Sequence, residues 1–159
     1  MGKTWREKLA DDKDFPRVEP LTGGMAKKLG KGTIVIPRPS EVDALMRRVP
    51  KGRLVTINQL REILAKRHGA TVACPICTGI FARIAAGAAG EQEDEGRKRV
   101  TPYWRTLRSG GELNDKYPGG IPRQKRKLEG EGHDVIAKGK RFLVDEFERR
   151  LVRPAVLGD

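Results

Sequence analysis

The 159-residue chain is short of several things, and each shortage removes a class of protein. No apolar run approaches the roughly 18 to 20 residues that a bilayer-crossing helix needs. The start also lacks the charged-then-apolar pattern and small-residue cleavage site of a secretory signal, so the chain reads as cytoplasmic with no membrane partner. Cysteine is reduced to Cys74 and Cys77, and histidine to His68 and His133. A structural zinc needs about four such ligands, so no metal is expected, nor any other cofactor. The lone Cys-x-x-Cys reads as two small residues entering a helix, with a redox pair as the alternative. Glu91, Glu93, Asp94 and Glu95 are nearly consecutive, which is the wrong organisation for a metal site. Acidic residues number 21 against 33 Lys and Arg, giving a net charge of +12 and a pI near 10.1. That imbalance favours a polyanionic partner, nucleic acid before acidic lipid.

What is present suffices for one domain with a real core and is too little for two. At 37% hydrophobic and 34% charged, with 19 Gly, the balance is polar enough that part of the length should stay unpacked. Residues 1–31 have little periodicity and read as a basic arm, flexible or loosely docked, in which Trp5 is the residue that argues for docking. Residues 32–153 form the domain and 154–159 a tail. Within the domain, residues 32–37 predict a strand. Ser40 and Asp43 make a capping box for a first helix over 41–48, and Thr56 with Gln59 makes another for a second helix ended at His68-Gly69. After a three-residue turn, Pro75 opens a third helix whose apolar stripe is Ile76, Ile80, Phe81 and Ile84. The last two helices read as a helix-turn-helix. Residues 85–99 read as a fraying helix end and an exposed acidic loop pointing away from any phosphate. Beyond Pro122 come a basic helix, a hairpin turning at Gly139 that is similar to the wing of winged-helix proteins, and a polar helix around 145–151.

Aromatic residues make up only 5% of the chain, yet Tyr103, Trp104 and Tyr117 fall together between turn-forming glycines and a run of Lys and Arg. Such rings either hold a planar, negatively charged partner or anchor the core beside a surface loop. The order Pro102-Tyr103-Trp104-Arg105, Arg108-Ser109-Gly110-Gly111, Tyr117-Pro118-Gly119-Gly120, Lys125 and Glu131-Gly132-His133 resembles the DNA-binding domain of the O6-alkylguanine-DNA alkyltransferases. That family carries Pro-Cys-His-Arg, a Ser-Gly turn, Tyr-x-Gly-Gly, a helical Lys and Glu-Gly-His. The match from Tyr117 to His133 needs no gap. Tyr103, however, occupies the position of the alkyl-accepting Cys, and Trp104 that of the activating His. In this respect the chain looks like the alkyltransferase-like proteins, which replace the Cys and bind alkylated guanine without repairing it.

The resemblance implies a mainly α fold with small β, a winged helix-turn-helix-like alkyltransferase DNA-binding domain. It also implies double-stranded DNA as partner, alkylated or not, with repair proteins recruited and the chain a monomer. Base flipping would bring guanine to a pocket formed by Tyr103, Trp104, Tyr117, Gly119 and Gly120. Thr56, Asn58, Arg83, Arg105, Arg108, Lys116, Arg123 and Lys125 are the candidates for contact with the DNA. Two family features are missing: Ile57 stands where a Tyr rotates the target phosphate, and residues 70–73 hold no Arg for the gap left by the flipped base.

Catalysis is not expected. A phenol has a pKa near 10, and an indole has a proton to donate and none to accept. Tyr103, Trp104 and Glu131 are therefore degenerate catalytic positions, and Glu131 should bond to backbone or Arg105. The expected function is non-enzymatic recognition of O6-alkylguanine lesions. The alternatives are an alkyl-transferring relative of the methyltransferases using another residue, such as Cys74 or Cys77, a duplex-binding regulatory or architectural protein, and a protein-binding module.

Overall fold

The computed structural model describes residues 2–158. It opens with a six-residue helix, α1 (Trp5–Ala10), whose start is fixed by a capping box between Thr4 and Glu7. Strand β1 (Arg17–Pro20), helix α2 (Gly23–Leu29) and strand β2 (Thr33–Ile36) follow, with β1 and β2 antiparallel from Arg17 opposite Ile36 to Pro20 opposite Thr33. The stretch expected as an arm thus carries α1, β1 and α2, and its strand crosses into the domain's sheet. Trp5 lies so close over Gly87 that a β-carbon there would overlap the indole. Arg6 pairs with Glu91 and Glu95. No residue of α1 or α2 is fully buried. Docking by one ring and a few ions leaves no apolar stripe, so periodicity could not reveal it.

Helix α3 (Pro39–Arg47) begins at Pro39, whose fixed φ suits a first helical position. The capping box expected at Ser40 is not used; its hydroxyl donates to the Asp12 carboxylate at 3.0 Å instead. Strand β3 (Val55–Thr56) leads into α4 (Ile57–Arg67), and here the Thr56–Gln59 box is present. The link to the next helix is longer than the expected three-residue turn. It contains β4 (Val72–Ala73), which runs parallel to β2 and completes a sheet ordered β1-β2-β4.

Helix α5 (Pro75–Asp94) is 20 residues long. Residues 85–90, expected to fray, are all buried as Ala85-Ala86-Gly87-Ala88-Ala89-Gly90. Small side chains let neighbours close in: Trp5 rests on Gly87, and Pro118 sits 2.7 Å from where a β-carbon on Gly90 would be. The acidic end is not a loop but the last turns of this helix, bound to cations from two other elements.

Strand β5 (Thr106–Leu107) pairs parallel with β3, and α6 (Gly120–Glu129) precedes a hairpin of β6 (Val135–Lys138) and β7 (Arg141–Val144). The polar helix expected after the hairpin shrinks to a 3-10 turn at Phe147–Arg150, preceded by Glu146 with a left-handed φ of 52°. Buried side chains form two clusters. The larger joins α3, α4 and α5 through Leu45, Met46, Leu60, Leu64 and Ala86 and includes Tyr103 and Tyr117. The smaller joins Leu54, Leu107, Leu113, Leu128 and Val144, and Trp104 packs against both. At roughly 25 cal/mol per Å² these clusters supply the main stabilising term.

Candidate nucleic-acid interface

The three rings do assemble. Tyr103 meets Trp104 and Tyr117 edge-to-face, with ring centroids 5.3 and 5.6 Å away. They do not line a hollow: Tyr103 is 0% exposed and Tyr117 3%, so the expected base pocket is filled by its own side chains. A phenol is bulkier than a thiol, and the Tyr103 ring occupies the space a smaller residue would leave open. Neither hydroxyl has a hydrogen-bond partner in good geometry. Burial raises both phenol pKa values above the ordinary 10.0, with the nearby Glu93 carboxylate adding to the effect at Tyr103. A Tyr103 oxyanion is thereby disfavoured.

Glu131 is held by hydrogen bonds from three groups. Arg105 donates to it through Nη2 at 2.6 Å, the Trp104 indole at 3.0 Å, and the Gly52 amide at 3.4 Å. Burial opposes its charge, but these hydrogen bonds outweigh burial and hold the carboxyl below its ordinary 4.5. Arg105 also donates to the Val49 carbonyl at 2.8 Å and lies over the Trp104 ring. It is a structural cation here, not one open to phosphate. Arg123 is likewise committed, to Glu93 at 3.1 Å, beside Lys127 at 2.8 Å from the same carboxylate. Thr56 turns its hydroxyl to the Gln59 amide as a helix cap.

The open site lies along the exposed side of α5. Sequence pattern put Ile76 and Ile80 on the buried stripe of α5, yet they are 73% and 51% exposed. Phe81, Ala82, Ala85, Ala86 and Ala89 are the buried ones. Two stripes share the helix, and the signal for telling them apart is side-chain size: close packing selects the Ala and Gly stripe. Ile76, Ile80 and Arg83 recur at helical spacing on the outward face. Together with Ile57, Pro75 and Gly79 they line a cleft of about 360 Å³ whose far wall is Arg108, Ser109, Asn114 and Lys116. That wall is stiffened from within. Asn114 Oδ1 accepts from the Lys116 amide at 2.9 Å and from Arg108 at 3.2 Å, and the Asn114 amide donates to buried Gln124 at 2.9 Å.

Of the candidate DNA contacts, Arg83, Arg108 and Lys116 are thus brought together, and Ile57, Ile76, Ile80, Ser109 and Asn114 join them unforeseen. Asn58 is exposed at the start of α4, accepting from Arg61 at 3.3 Å. Lys125 is half-buried on α6, and Gly119 and Gly120 form the left-handed turn that opens that helix; none of the three lines the cleft. Cys77 is half-buried, and burial, with Cys74 beside it, pushes its thiol up to about 12. It is no ready nucleophile at neutral pH. Among the described residues no cluster of His, Cys, Asp or Glu is arranged to hold a metal, and no helix is long and apolar enough to cross a membrane.

No family model matches the chain, and neither does any curated protein. Among solved structures the chain is similar to S. pombe Atl1, crystallised in complex with damaged DNA containing O6-carboxymethylguanine. Sequence identity is 17%, the match covers 73% of this chain and 94% of that one, and the TM-score is 0.50. The fold is alkyltransferase-like. It is mainly helical with small sheets.

Proposed function

We propose that this protein is a non-enzymatic DNA-binding protein of the alkyltransferase-like kind, and that α5 meets the duplex with its outward face. The observation that carries this reading is the cleft in which exposed Ile76 and Ile80 are flanked by Arg83, Arg108 and Lys116. Apolar side chains suit base and sugar edges, while the surrounding cations suit phosphates on both sides of a groove. The net charge of +12 adds a sequence-independent attraction. The likeness to Atl1, a protein solved on damaged DNA, supports the same partner for this fold.

Recognition of an alkylated guanine is the finer reading. Since Tyr103 fills the inner hollow, an extruded base would rest in the cleft between Ile76 and Asn114, with the Asn114 amide group and the Ser109 hydroxyl available to its edge. Fluorescence titration of O6-methylguanine duplex against unmodified duplex at moderate salt tests it. A clear preference for the lesion is expected; equal affinities would leave plain duplex binding. The closure of the hollow by Tyr103 and Tyr117 is the specific observation favouring that second reading. Alkyl transfer is tested by intact mass after incubation with the methylated duplex, and no gain of a methyl is expected.

A further inference from the structure

Cys74 and Cys77 are the chain's two cysteines, and the DNA-binding reading leaves them unused. They occupy the N-cap and third helical positions of α5, separated by Pro75 and Ile76. The Cys74 sulfur accepts a hydrogen bond from the Cys77 amide at 3.2 Å, so the pair already faces itself across the first turn. Side chains three apart on a helix have β-carbons about 5–6 Å apart, and a disulfide needs about 3.5–4.5 Å. Cys74 lies outside the helix proper, with φ −57° and ψ 119°, and can close that gap by turning about its own backbone without unwinding α5. Both thiols are free and half-exposed. The first helical turn also leaves backbone N–H groups without intrahelical partners beside the two sulfurs.

We propose that Cys74 and Cys77 are a thiol–disulfide exchange site for low-molecular-weight disulfides, and that the resulting Cys74–Cys77 bond reshapes the cleft. Cys74, as thiolate, attacks one sulfur of the external disulfide, forming a mixed disulfide and expelling one thiolate. Cys77 then gives its proton to solvent and attacks Cys74 Sγ, expelling the second thiolate. Two electrons pass from the protein dithiol to the external disulfide, and the two released thiolates take up two protons. Cys77 is the slower partner, because burial and the adjacent Cys74 push its thiol up to about 12. The mixed disulfide therefore persists at neutral pH and resolves about tenfold faster for each unit of rising pH, as the thiolate fraction grows.

The consequence for binding rests on the proposed DNA interface. Pro75 and Ile76, which line the cleft, are the two residues enclosed by the new ring. Closing it removes the Cys77 amide's bond to a free thiol and pulls the first turn toward Cys74. The affinity for duplex DNA then falls by at least about fivefold, the lower end of ordinary coupling between sites. By reciprocity, saturating duplex shifts the dithiol–disulfide ratio toward the dithiol by the same factor.

The test equilibrates the full chain in glutathione buffers of graded ratio, traps free thiols with excess N-ethylmaleimide in denaturant near neutral pH and reads intact mass. The expected product has lost two hydrogens and takes no label, while Cys77→Ser stops with one glutathione attached. Glutathione on both cysteines, disulfide-linked dimers or fully labelled protein throughout would overturn the exchange site. Titration of oxidised and reduced protein against one duplex then reads the coupling: a fivefold difference supports it and equal affinity overturns it. If neither form binds DNA, the interface reading fails while the mass result still decides the exchange site alone.

Discussion

The two halves of α5 are built from one continuous helix and put to opposite uses. Its first turns carry Ile76, Ile80 and Arg83 outward, where they touch no core. Its last turns bury an Ala and Gly stripe and bind Arg6, Arg123 and Lys127 through Glu91, Glu93 and Glu95. The outward half gives up burial of two large apolar side chains, a stabilisation of about 1.5–3 kcal/mol each when complete. In the inward half Glu91, Glu93 and Glu95 each meet a cation, while Asp94 is left exposed to solvent. A helix serving the core alone would bury the isoleucines, and their exposure is the observation on which the proposed binding face rests.

The largest effect should come where the inward half meets the rings. Tyr103→Ala empties the most bulky of the fully buried positions and should cost about 3–5 kcal/mol, read by urea unfolding. Tyr103→Phe should cost nothing or stabilise slightly, because the hydroxyl it removes is buried without a good partner. A large loss from Tyr103→Phe would mean that the phenol has a role the packing does not reveal.

The outward half should respond in the opposite way. Ile76→Glu with Ile80→Glu should leave unfolding free energy within about 0.5 kcal/mol, as exposed substitutions do. The pair should weaken duplex binding at least tenfold, or about 1.4 kcal/mol, by placing two carboxylates against phosphate. Arg83→Ala should reduce the salt dependence of binding by about one counterion. Unchanged affinity in the double variant, with the fold intact, would move the interface away from α5.

Next in size is the clamp at the far end. Glu93→Gln releases Arg123 and Lys127, which are mostly buried against it, and should cost about 1 kcal/mol with duplex binding unchanged. Arg6→Ala acts on an exposed pair and should show mainly as faster proteolysis of α1, read by limited digestion.

Much of this division was legible before any coordinates. The capping box at Thr56, Pro75 at a first helical position and the β6–β7 hairpin follow from local chemistry, and the bond from Arg105 to Glu131, 26 residues apart, was expected from the resemblance. Three things were not. The stripe at 76, 80 and 84 has the same period as the buried one at 81, 85 and 89, and period alone does not say which faces inward. The acidic run looked solvated because its cations, Arg6, Arg123 and Lys127, come from 30 or more residues away. Tyr103, expected to line a base pocket, is buried in the core instead, since a motif fixes order along the chain but not the volume left around a ring.

The smallest effects are in pH, and they separate the acidic clamp from the rest of the core. His133 is buried, and burial first, with Arg150 second, holds its pKa below the ordinary 6.5. As pH falls through about 6.5 the unfolded chain takes up a proton that the folded chain refuses, so stability declines until the folded imidazole also protonates. The slope for one proton is at most about 1.4 kcal/mol per pH unit. Glu95 and Glu131 act lower. Arg6 at Glu95, and the hydrogen bonds that overcome burial at Glu131, depress both below 4.5. Their contribution is complete above that value and is lost as pH falls through the folded-state values. Thermal unfolding across this range should therefore show a shallow decline beginning near 6.5 that His133→Gln abolishes, then a second below about 4.5 that Glu131→Gln lessens. If His133→Gln left the upper decline intact, the proton uptake would belong to another group, and the buried imidazole would be silent in stability.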